Sequence, residues 1–447
     1  MGMLKRLGKL LGMDSAIYYT LLARLWGMSS GIVSIGLISR FLSPAEQGYY
    51  YTFAGILAFQ IFFELGVGHV IMQFASHEAA HLNWTGDWVL TGDVLALSRL
   101  RSFFLLQVKW YAAIALLIVA IVLPAGWLFL ERNAAQEAVS WHLPWIAITL
   151  TAALNLLVTP LFSLYEASGK VAEIARVRWI QAVTGSLSGW SALVAGHGLF
   201  VAAAANVSAI VIAVIWMRAR SGPFLKNLLA ADHEAARVSW RQEIWPLQWK
   251  ISASWMSGFL IFQLFVPLLF NFRGAVEAGR MGMSLSIANA AMAIPMAWMN
   301  TKTPAFGAFI ATKKFEELDN TFFAALWRSM AIMTALSATV VVAAMLAADF
   351  HVHAAQRVVA PLALALLMGA TTVNYLVFAQ SVYLRAHKEE PFLWPSLAAG
   401  MLIGISISLA AKPYGATGMM ACYFLASLLV ALWCTWIFFQ KRRKWHE

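Results

Sequence analysis

Long apolar runs alternate with short polar segments along the whole chain, and each run is about as long as a bilayer is thick. A membrane-spanning helix needs about 20 consecutive, mostly apolar residues. Windows of that length predict about twelve helices, at 15–39, 49–74, 102–123, 144–165, 177–196, 199–217, 243–269, 281–301, 328–348, 358–383, 392–411 and 416–438. The pattern therefore predicts an all-α polytopic membrane protein.

Composition supports that prediction and narrows the classes of partner. The chain has 447 residues, of which 61% are hydrophobic and 12% charged, whereas a soluble domain carries about 25% charged residues. No soluble domain remains once the apolar segments are removed. The net charge of +11 is read as loop charge that sets membrane orientation, so no nucleic-acid partner is predicted.

Basic residues are unevenly divided between the two sides of the predicted helices. One set of connections, which includes both chain ends, holds about four times as many Lys and Arg residues as the other. We therefore expect a multi-pass membrane protein with both termini cytoplasmic. The first apolar run is read as an uncleaved first helix, because no small-residue cleavage site follows it.

Three short patterns occur twice, in the same order. They are Glu46-x-Gly48 with Glu277-x-Gly279, Asn155-Leu-Leu-Val158 with Asn374-Tyr-Leu-Val377, and His197-Gly198 to Trp216 with Tyr414-Gly415 to Trp433. They predict two six-helix lobes related by a pseudo-twofold axis normal to the membrane. The predicted divisions are lobe 1–217, cytoplasmic linker 218–242, lobe 243–440 and basic tail 441–447.

Three charged residues inside predicted spans are candidates for function. A charge at bilayer depth is a functional hypothesis by default, because it must face a wet cavity or a partner. Arg24 is read as a cavity cation that binds substrate, or as a structural partner of Glu64. Lys250 is a second candidate substrate-binding cation, with snorkelling to the headgroups as the alternative. Glu64 is either a coupling site for a proton or sodium ion or the counter-ion of Arg24.

Polar residues elsewhere give weaker signals. Asn155 and Asn374 could hydrogen-bond sugars in a cavity, although polar packing between helices is the alternative. His351-Val-His353 lacks a third ligand, so no metal site and no cofactor are predicted. The connection 76–101 is rich in Trp and His, and we read it as an interfacial, partly amphipathic segment that contacts membrane lipids.

Several stretches resemble a known family. They are Leu-Ser-Pro-Ala-Glu-Gln-Gly-Tyr-Tyr at 42–50, Glu-Leu-Gly-Val-Gly-His-Val-Ile-Met-Gln-Phe-Ala at 64–75, Tyr-Glu-Ala-Ser-Gly-Lys at 165–170, and the helix starts at Gly198 and Gly415. Together they resemble bacterial oligosaccharide (O-antigen/polysaccharide) flippases of the multidrug/oligosaccharidyl-lipid/polysaccharide exporter superfamily. The resemblance implies a cavity cation in the first helix, which Arg24 matches, and an acidic residue before Leu-Gly, which Glu64 matches.

The resemblance also implies the cargo. Such proteins transfer undecaprenyl-diphosphate-linked oligosaccharide from the cytoplasmic to the periplasmic leaflet by alternating access, and association with glycan polymerase machinery follows as a possible partner. A drug/cation antiporter of the same superfamily is the first alternative, and it would favour cavity carboxylates over cations. A polytopic glycan polymerase or glycosyltransferase is the second, and it would need a large or acidic outer loop. We favour the flippase, a transporter rather than an enzyme.

Overall fold

The structure, a computed structural model, describes residues 15–85, 88–133, 139–230, 238–387 and 389–446. The α-helices are α1 (Ser15–Phe41), α2 (Pro44–Leu57), α3 (Ile61–Glu64), α4 (Val67–Ala79), α5 (Val94–Leu117), α6 (Leu123–Asn133), α7 (His142–Leu156), α8 (Thr159–Ala167), α9 (Val171–Val194), α10 (Val201–Arg220), α11 (Gly222–Ala230), α12 (Trp245–Phe262), α13 (Phe265–Arg273), α14 (Ala275–Asn300), α15 (Thr303–Ala311), α16 (Phe315–Asp349), α17 (Pro361–Ala386) and α18 (Leu393–His446). Short 3₁₀ and π segments join or extend several of them.

The prediction of an all-α polytopic membrane protein is confirmed. Across the described ranges, seven helical stretches are long and apolar enough to cross a membrane. A pair of helices bent by 47°, Met256–Phe262 and Phe265–Arg273, makes an eighth. Only one small sheet interrupts the helices in this part of the chain, a hairpin in which β1 (Leu82–Trp84) runs antiparallel to β2 (Leu90–Gly92).

Several predicted helices have a more broken course than their apolar content indicates. The predicted helix 49–74 is divided into α2, a 3₁₀ turn, α3 and α4. The predicted linker 218–242 contains the helix α11 as well as residues that lie outside the described ranges. Hydropathy does not register such breaks, because a bent or interrupted helix has the same composition as a straight one.

The chain divides into two compact units, and the first comprises Met1–Phe41 and Phe59–Trp255. Here α1 packs along α9 through two tryptophans. The indole N–H of Trp26 donates to the carbonyl of Ala182 at 3.2 Å, and that of Trp190 donates to Ser34 Oγ at 2.9 Å. In a lipid bilayer, apolar contact alone does not fix how two apolar helices align. These interhelical hydrogen bonds define the register of α1 against α9.

The second compact unit comprises Leu42–Ala58 and Met256–Glu447. Its aromatic core includes Phe306, Phe322, Tyr383 and Phe438, which join α15, α16, α17 and α18. The long helix α18 bends at Gly415, whose φ of 57° and ψ of −149° are not helical. The two six-helix lobes with their twofold relation, and the boundaries proposed for them, stay predictions.

The stretch 42–50 begins α2 and is explained by local chemistry. Ser43 caps the helix, and Pro44 occupies its first turn without losing a needed donor. The Ser43 hydroxyl accepts from the Glu46 N–H at 3.1 Å, while the Ser43 N–H donates to Glu46 Oε2 at 2.8 Å. This capping box satisfies two N-terminal amide groups, so Glu46 has a structural role.

Candidate functional site

Arg24 is exposed on α1, two residues before Trp26, which hydrogen-bonds to α9. No described residue forms an ion pair or a hydrogen bond with its guanidinium. An unpaired cation within a membrane-spanning helix is expensive unless water or a charged ligand solvates it. Its placement is therefore compatible with a substrate-binding cation.

The second predicted helix breaks immediately after Glu64. Both Leu65 (φ 48°) and Gly66 (φ 64°) adopt left-handed conformations before α4 begins at Val67. Glycine tolerates this region, whereas leucine rarely adopts it. Ser252 stabilises the break, because its hydroxyl donates to the carbonyl of Leu65 at 2.8 Å.

The Glu64 carboxylate is half-buried beside this break. The predicted pairing of Glu64 with Arg24 is not present: these two described residues form no ion pair. Within the described ranges the carboxylate accepts no hydrogen bond either. A carboxylate at a helix interruption can hold a proton or a small cation, because nearby backbone groups are released from the helix.

Two further polar side chains lie against the start of α4. A Cβ placed on Gly68 would come within 2.6 Å of the Tyr111 hydroxyl and 3.7 Å of Gln107 Nε2. Gln107 is only 1% exposed, and its Nε2 has no hydrogen-bond partner among the described residues. Gly68 is thus required for a close approach of α5 to the broken helix.

The two asparagines of the repeated pattern differ in their surroundings. Asn374 donates from Nδ2 to the Tyr423 hydroxyl at 2.8 Å and to Ser427 Oγ at 3.2 Å. Both amide N–H groups are therefore used between α17 and α18, as in the packing alternative. Asn155 is half-buried in α7, and its role in sugar binding stays a prediction.

The side chains of two remaining candidate residues are outside the part of the chain that the structure describes. Lys250 lies in α12, but its side chain is not among those described. The side chain of His353 is likewise outside them, while His351 contacts the carbonyl of Asp349 at 2.9 Å. Within the residues that the structure describes, no group of three or more His, Cys, Asp or Glu side chains could hold a metal ion.

A charged cluster that the sequence did not single out joins three helix ends in the first unit. Arg99 Nε donates to Glu78 Oε1 at 2.7 Å, and Arg99 Nη2 donates to Glu243 Oε2 at 2.6 Å. Burial opposes the charge of Glu243, but the Ser239 N–H and the Arg99 guanidinium outweigh it and hold the pKa of Glu243 below its ordinary value. The cluster stabilises the ends of α4 and α5 against the start of α12.

Within the connection 76–101, the hairpin of β1 and β2 lies between the end of α4 and the start of α5. Lys170 Nζ lies 4.6 Å from the ring centre of Trp84 and 4.9 Å from that of Trp88. The Trp84 indole N–H donates to the carbonyl of Ser168 at 2.6 Å, and its ring stacks on Tyr165. These rings pack on the protein, and their composition alone did not distinguish that from contact with lipid.

Comparison with known proteins gives a clear result for the fold. No protein-family model and no curated protein sequence matches the chain significantly. A solved multidrug-resistance MATE family transporter of the MOP superfamily, in an inward-facing conformation, matches with a TM-score of 0.64 and 13% identity, over 96% of this chain and 98% of that one. The chain has the fold of MATE transporters.

Two other solved structures agree with this assignment. The MATE multidrug transporter DinF-BH, in complex with R6G, matches with a TM-score of 0.61 and 13% identity, over 96% of this chain and 95% of that one. A MOP superfamily transporter from Pyrococcus furiosus, described by the reversed polarity of its binding pocket, matches with a TM-score of 0.51 and 13% identity, over 97% of this chain and 96% of that one. At this identity the likeness establishes the fold alone.

Proposed function

We propose that this protein is a transporter that transfers undecaprenyl-diphosphate-linked oligosaccharide between leaflets by alternating access. Transfer runs from the cytoplasmic to the periplasmic leaflet of the inner membrane, with both termini cytoplasmic. The cargo combines an anionic diphosphate with a polar glycan, so its carrier needs cations inside the bilayer that a hydrophobic cargo does not need.

Arg24 is the observation that carries the proposal. It is exposed on a membrane-spanning helix and has no acidic partner among the described residues. A guanidinium presents five N–H donors in a planar fork, which suits the oxygens of a diphosphate. Lys250 is the proposed second cation, and Asn155 and Asn374 are the proposed glycan contacts, with only the carbonyl of Asn374 left for this purpose.

The fold supports a transporter, and one solved relative supports a change of cargo within it. The description of the Pyrococcus furiosus protein says that a reversed polarity of the binding pocket suggests a different function. A cation in the first helix would likewise favour an anionic cargo, because opposite charges attract.

A drug/cation antiporter is the second candidate, and Glu64 is the observation that favours it. Its half-buried carboxylate has no ion-pair partner in the described part of the chain, and a cationic drug could occupy that place. The two functions differ in the residue that binds the cargo, because the flippase needs Arg24 for this purpose whereas the antiporter needs Glu64.

The test uses purified protein in proteoliposomes that contain fluorescent undecaprenyl-diphosphate oligosaccharide. Transfer is measured as the fraction of label that becomes accessible to a quencher outside. We expect Arg24→Ala to reduce the initial rate at least about tenfold, since it removes charged hydrogen bonds to the cargo. Lys250→Ala should reduce it similarly if that side chain also binds the diphosphate.

Arg40→Ala is the matched control, because Arg40 is an arginine at the other end of the same helix. It should transfer cargo at the wild-type rate. If Arg24→Ala transferred cargo at the wild-type rate, Arg24 would not bind the diphosphate, and the proposal would be contradicted. Uptake of a rhodamine-type cation that Glu64→Gln abolishes, with no oligosaccharide transfer by the wild type, would establish the antiporter instead.

A further inference from the structure

The second unit contains a polar cavity that none of the predicted site residues line. Its volume is about 700 Å³. The residues that line it include Arg273, Glu277, Arg280, His351, Tyr414 and Gly415. The end of α13, the start of α14, the end of α16 and the bend of α18 converge here. The distribution of basic residues predicts that this end of the helices is periplasmic.

The charge of the cavity is positive. Two guanidinium groups and one carboxylate line it. Glu277 Oε1 accepts from Arg280 Nη1 at 2.8 Å, so one N–H of Arg280 is occupied and its positive charge is partly compensated. The remaining charge belongs mainly to Arg273, for which the described residues provide no carboxylate.

Both arginines are oriented by backbone carbonyls, and most of their donors are left over. Arg273 Nη2 donates to the carbonyl of Pro413 at 2.9 Å, and Arg280 Nε donates to that of Gln356 at 3.0 Å. Four N–H groups of Arg273 and three of Arg280 have no acceptor among the described residues. Fixed guanidinium groups with spare donors are suited to a multivalent oxyanion.

Gly415 lies at the bend of α18, beside Arg273. Its φ of 57° lies in the left-handed region, and a Cβ there would lie 3.4 Å from Arg273 Nε, in ordinary contact with the guanidinium. Any other residue would therefore strain the bend of α18. Ala416 and Thr417, which follow Gly415 in α18, also line the cavity.

We propose that this cavity binds a phosphate-class oxyanion, either free or as the headgroup of a lipid. The inference concerns a binding site and stands independently of the cargo proposed above. The geometry favours phosphate or diphosphate over a carboxylate, because the spare donors come from two separate guanidinium groups and can contact several oxygens at once.

The experiment is a titration of the purified, detergent-solubilised protein with inorganic pyrophosphate, followed by calorimetry. We expect the double variant Arg273→Gln/Arg280→Gln to bind at least about tenfold more weakly than the wild type. Arg40→Gln, which changes an arginine outside the cavity, should bind normally. Equal affinity of the double variant and the wild type would overturn the proposal.

A second variant guards against a loss that is caused by misfolding. Glu277→Gln removes the carboxylate that competes for Arg280, so pyrophosphate should bind about threefold more tightly. Weaker or unchanged binding by Glu277→Gln would contradict the site even if the double variant fails to bind.

Nanodiscs distinguish the two sources of phosphate. If phosphatidylglycerol weakens pyrophosphate binding relative to phosphatidylcholine in the wild type but not in the double variant, a lipid headgroup occupies the cavity. If the lipid has no effect while pyrophosphate still binds through the two arginines, the site takes a free phosphate compound. Neither measurement involves transport, so failure here leaves the flippase proposal intact.

Discussion

Gly48 and Gly279 face each other at the contact between α2 and α14. A Cβ on Gly279 would lie 2.8 Å from the backbone nitrogen of Gly48, and a Cβ on Gly48 would overlap the backbone of Ala275. Gln47 fixes the register, since its Nε2 donates to the carbonyl of Gly279 at 2.8 Å and to that of Arg357 at 3.0 Å. The two members of one repeated sequence pattern are therefore also each other's packing partners.

This contact predicts a large effect from a side chain at Gly279. Gly279→Leu should destabilise the protein by about 1–3 kcal/mol, because the neighbouring atoms are backbone and cannot rotate away. Thermal unfolding of the detergent-purified protein measures the loss. Gly307→Leu is the control, as nothing lies within 4 Å of a Cβ at that helical position of the same unit. Equal stabilities of the two variants would show that α2 and α14 do not approach as described.

The sequence shows that Gly48 and Gly279 belong to one repeated pattern, but it does not show that they are in contact. Glu46-x-Gly48 and Glu277-x-Gly279 stood out as a repeat, which indicates related halves but says nothing about distance. The glycines themselves gave no further signal, because a glycine in a helix can equally have open space beside it, as Gly307 shows. Close approach depends on which faces meet, and periodicity in uniformly apolar helices does not encode that.

Glu64 yields a prediction about energy coupling, which rests on the proposed transporter. If its carboxylate takes up a proton or a sodium ion, Glu64→Gln should abolish the stimulation of transfer by an imposed pH or sodium gradient. The measurement is the initial rate in proteoliposomes with and without each gradient. Glu131→Gln, at an exposed carboxylate, should keep the wild-type response. A response of Glu64→Gln to both gradients that matches the wild type would exclude a coupling role.

The charged cluster around Arg99 predicts a pH dependence of stability. The pKa of Glu243 is lowered in the folded protein, so its ionised form stabilises the native state at neutral pH, by up to about 1 kcal/mol because solvent screens a partly exposed pair. That contribution is complete above the ordinary Glu pKa of about 4.3 and is lost as the pH falls through the lower folded value.

Thermal unfolding of the wild type and of Glu243→Gln, from pH 7 down to pH 3.5, tests this dependence. The wild type should be more stable at pH 7, and the difference should shrink below about pH 4.3. Glu316→Gln serves as the comparison, since Glu316 is exposed at the start of α16. A difference between wild type and Glu243→Gln that stays constant with pH would mean that charge is not the cause.

Arg442 predicts a specific role for the end of α18. Its Nε and Nη2 donate to Asp319 Oδ2 at 2.8 and 2.5 Å, and Tyr383 donates to Asp319 Oδ1 at 2.8 Å. Arg442→Met should destabilise the protein by about 1–3 kcal/mol, because Asp319 would remain buried without its cation. Arg443→Met, at the exposed neighbouring position, should have little effect on thermal unfolding. Equal melting of the two variants would contradict the pairing.

Some features of the candidate site can be predicted from the sequence, and others cannot. Charges inside apolar runs are visible in any sequence, so Arg24 and Glu64 could be chosen before the structure. The break after Glu64 could not, since only the glycine at Gly66 hints at it. The partners of Arg99 were equally hidden, because Glu78 and Glu243 are separated by most of the first unit and look like ordinary loop charges.

The contact between Gly48 and Gly279 has a consequence for synthesis of the chain. Gln47 and its acceptor at Gly279 are 232 residues apart, so α2 leaves the ribosome long before α14 exists. Between these two moments the ribosome makes Phe59–Trp255, the larger part of the first compact unit, while α2 still lacks its partner. Assembly of the second unit therefore begins with one of the first helices made and is completed by the last.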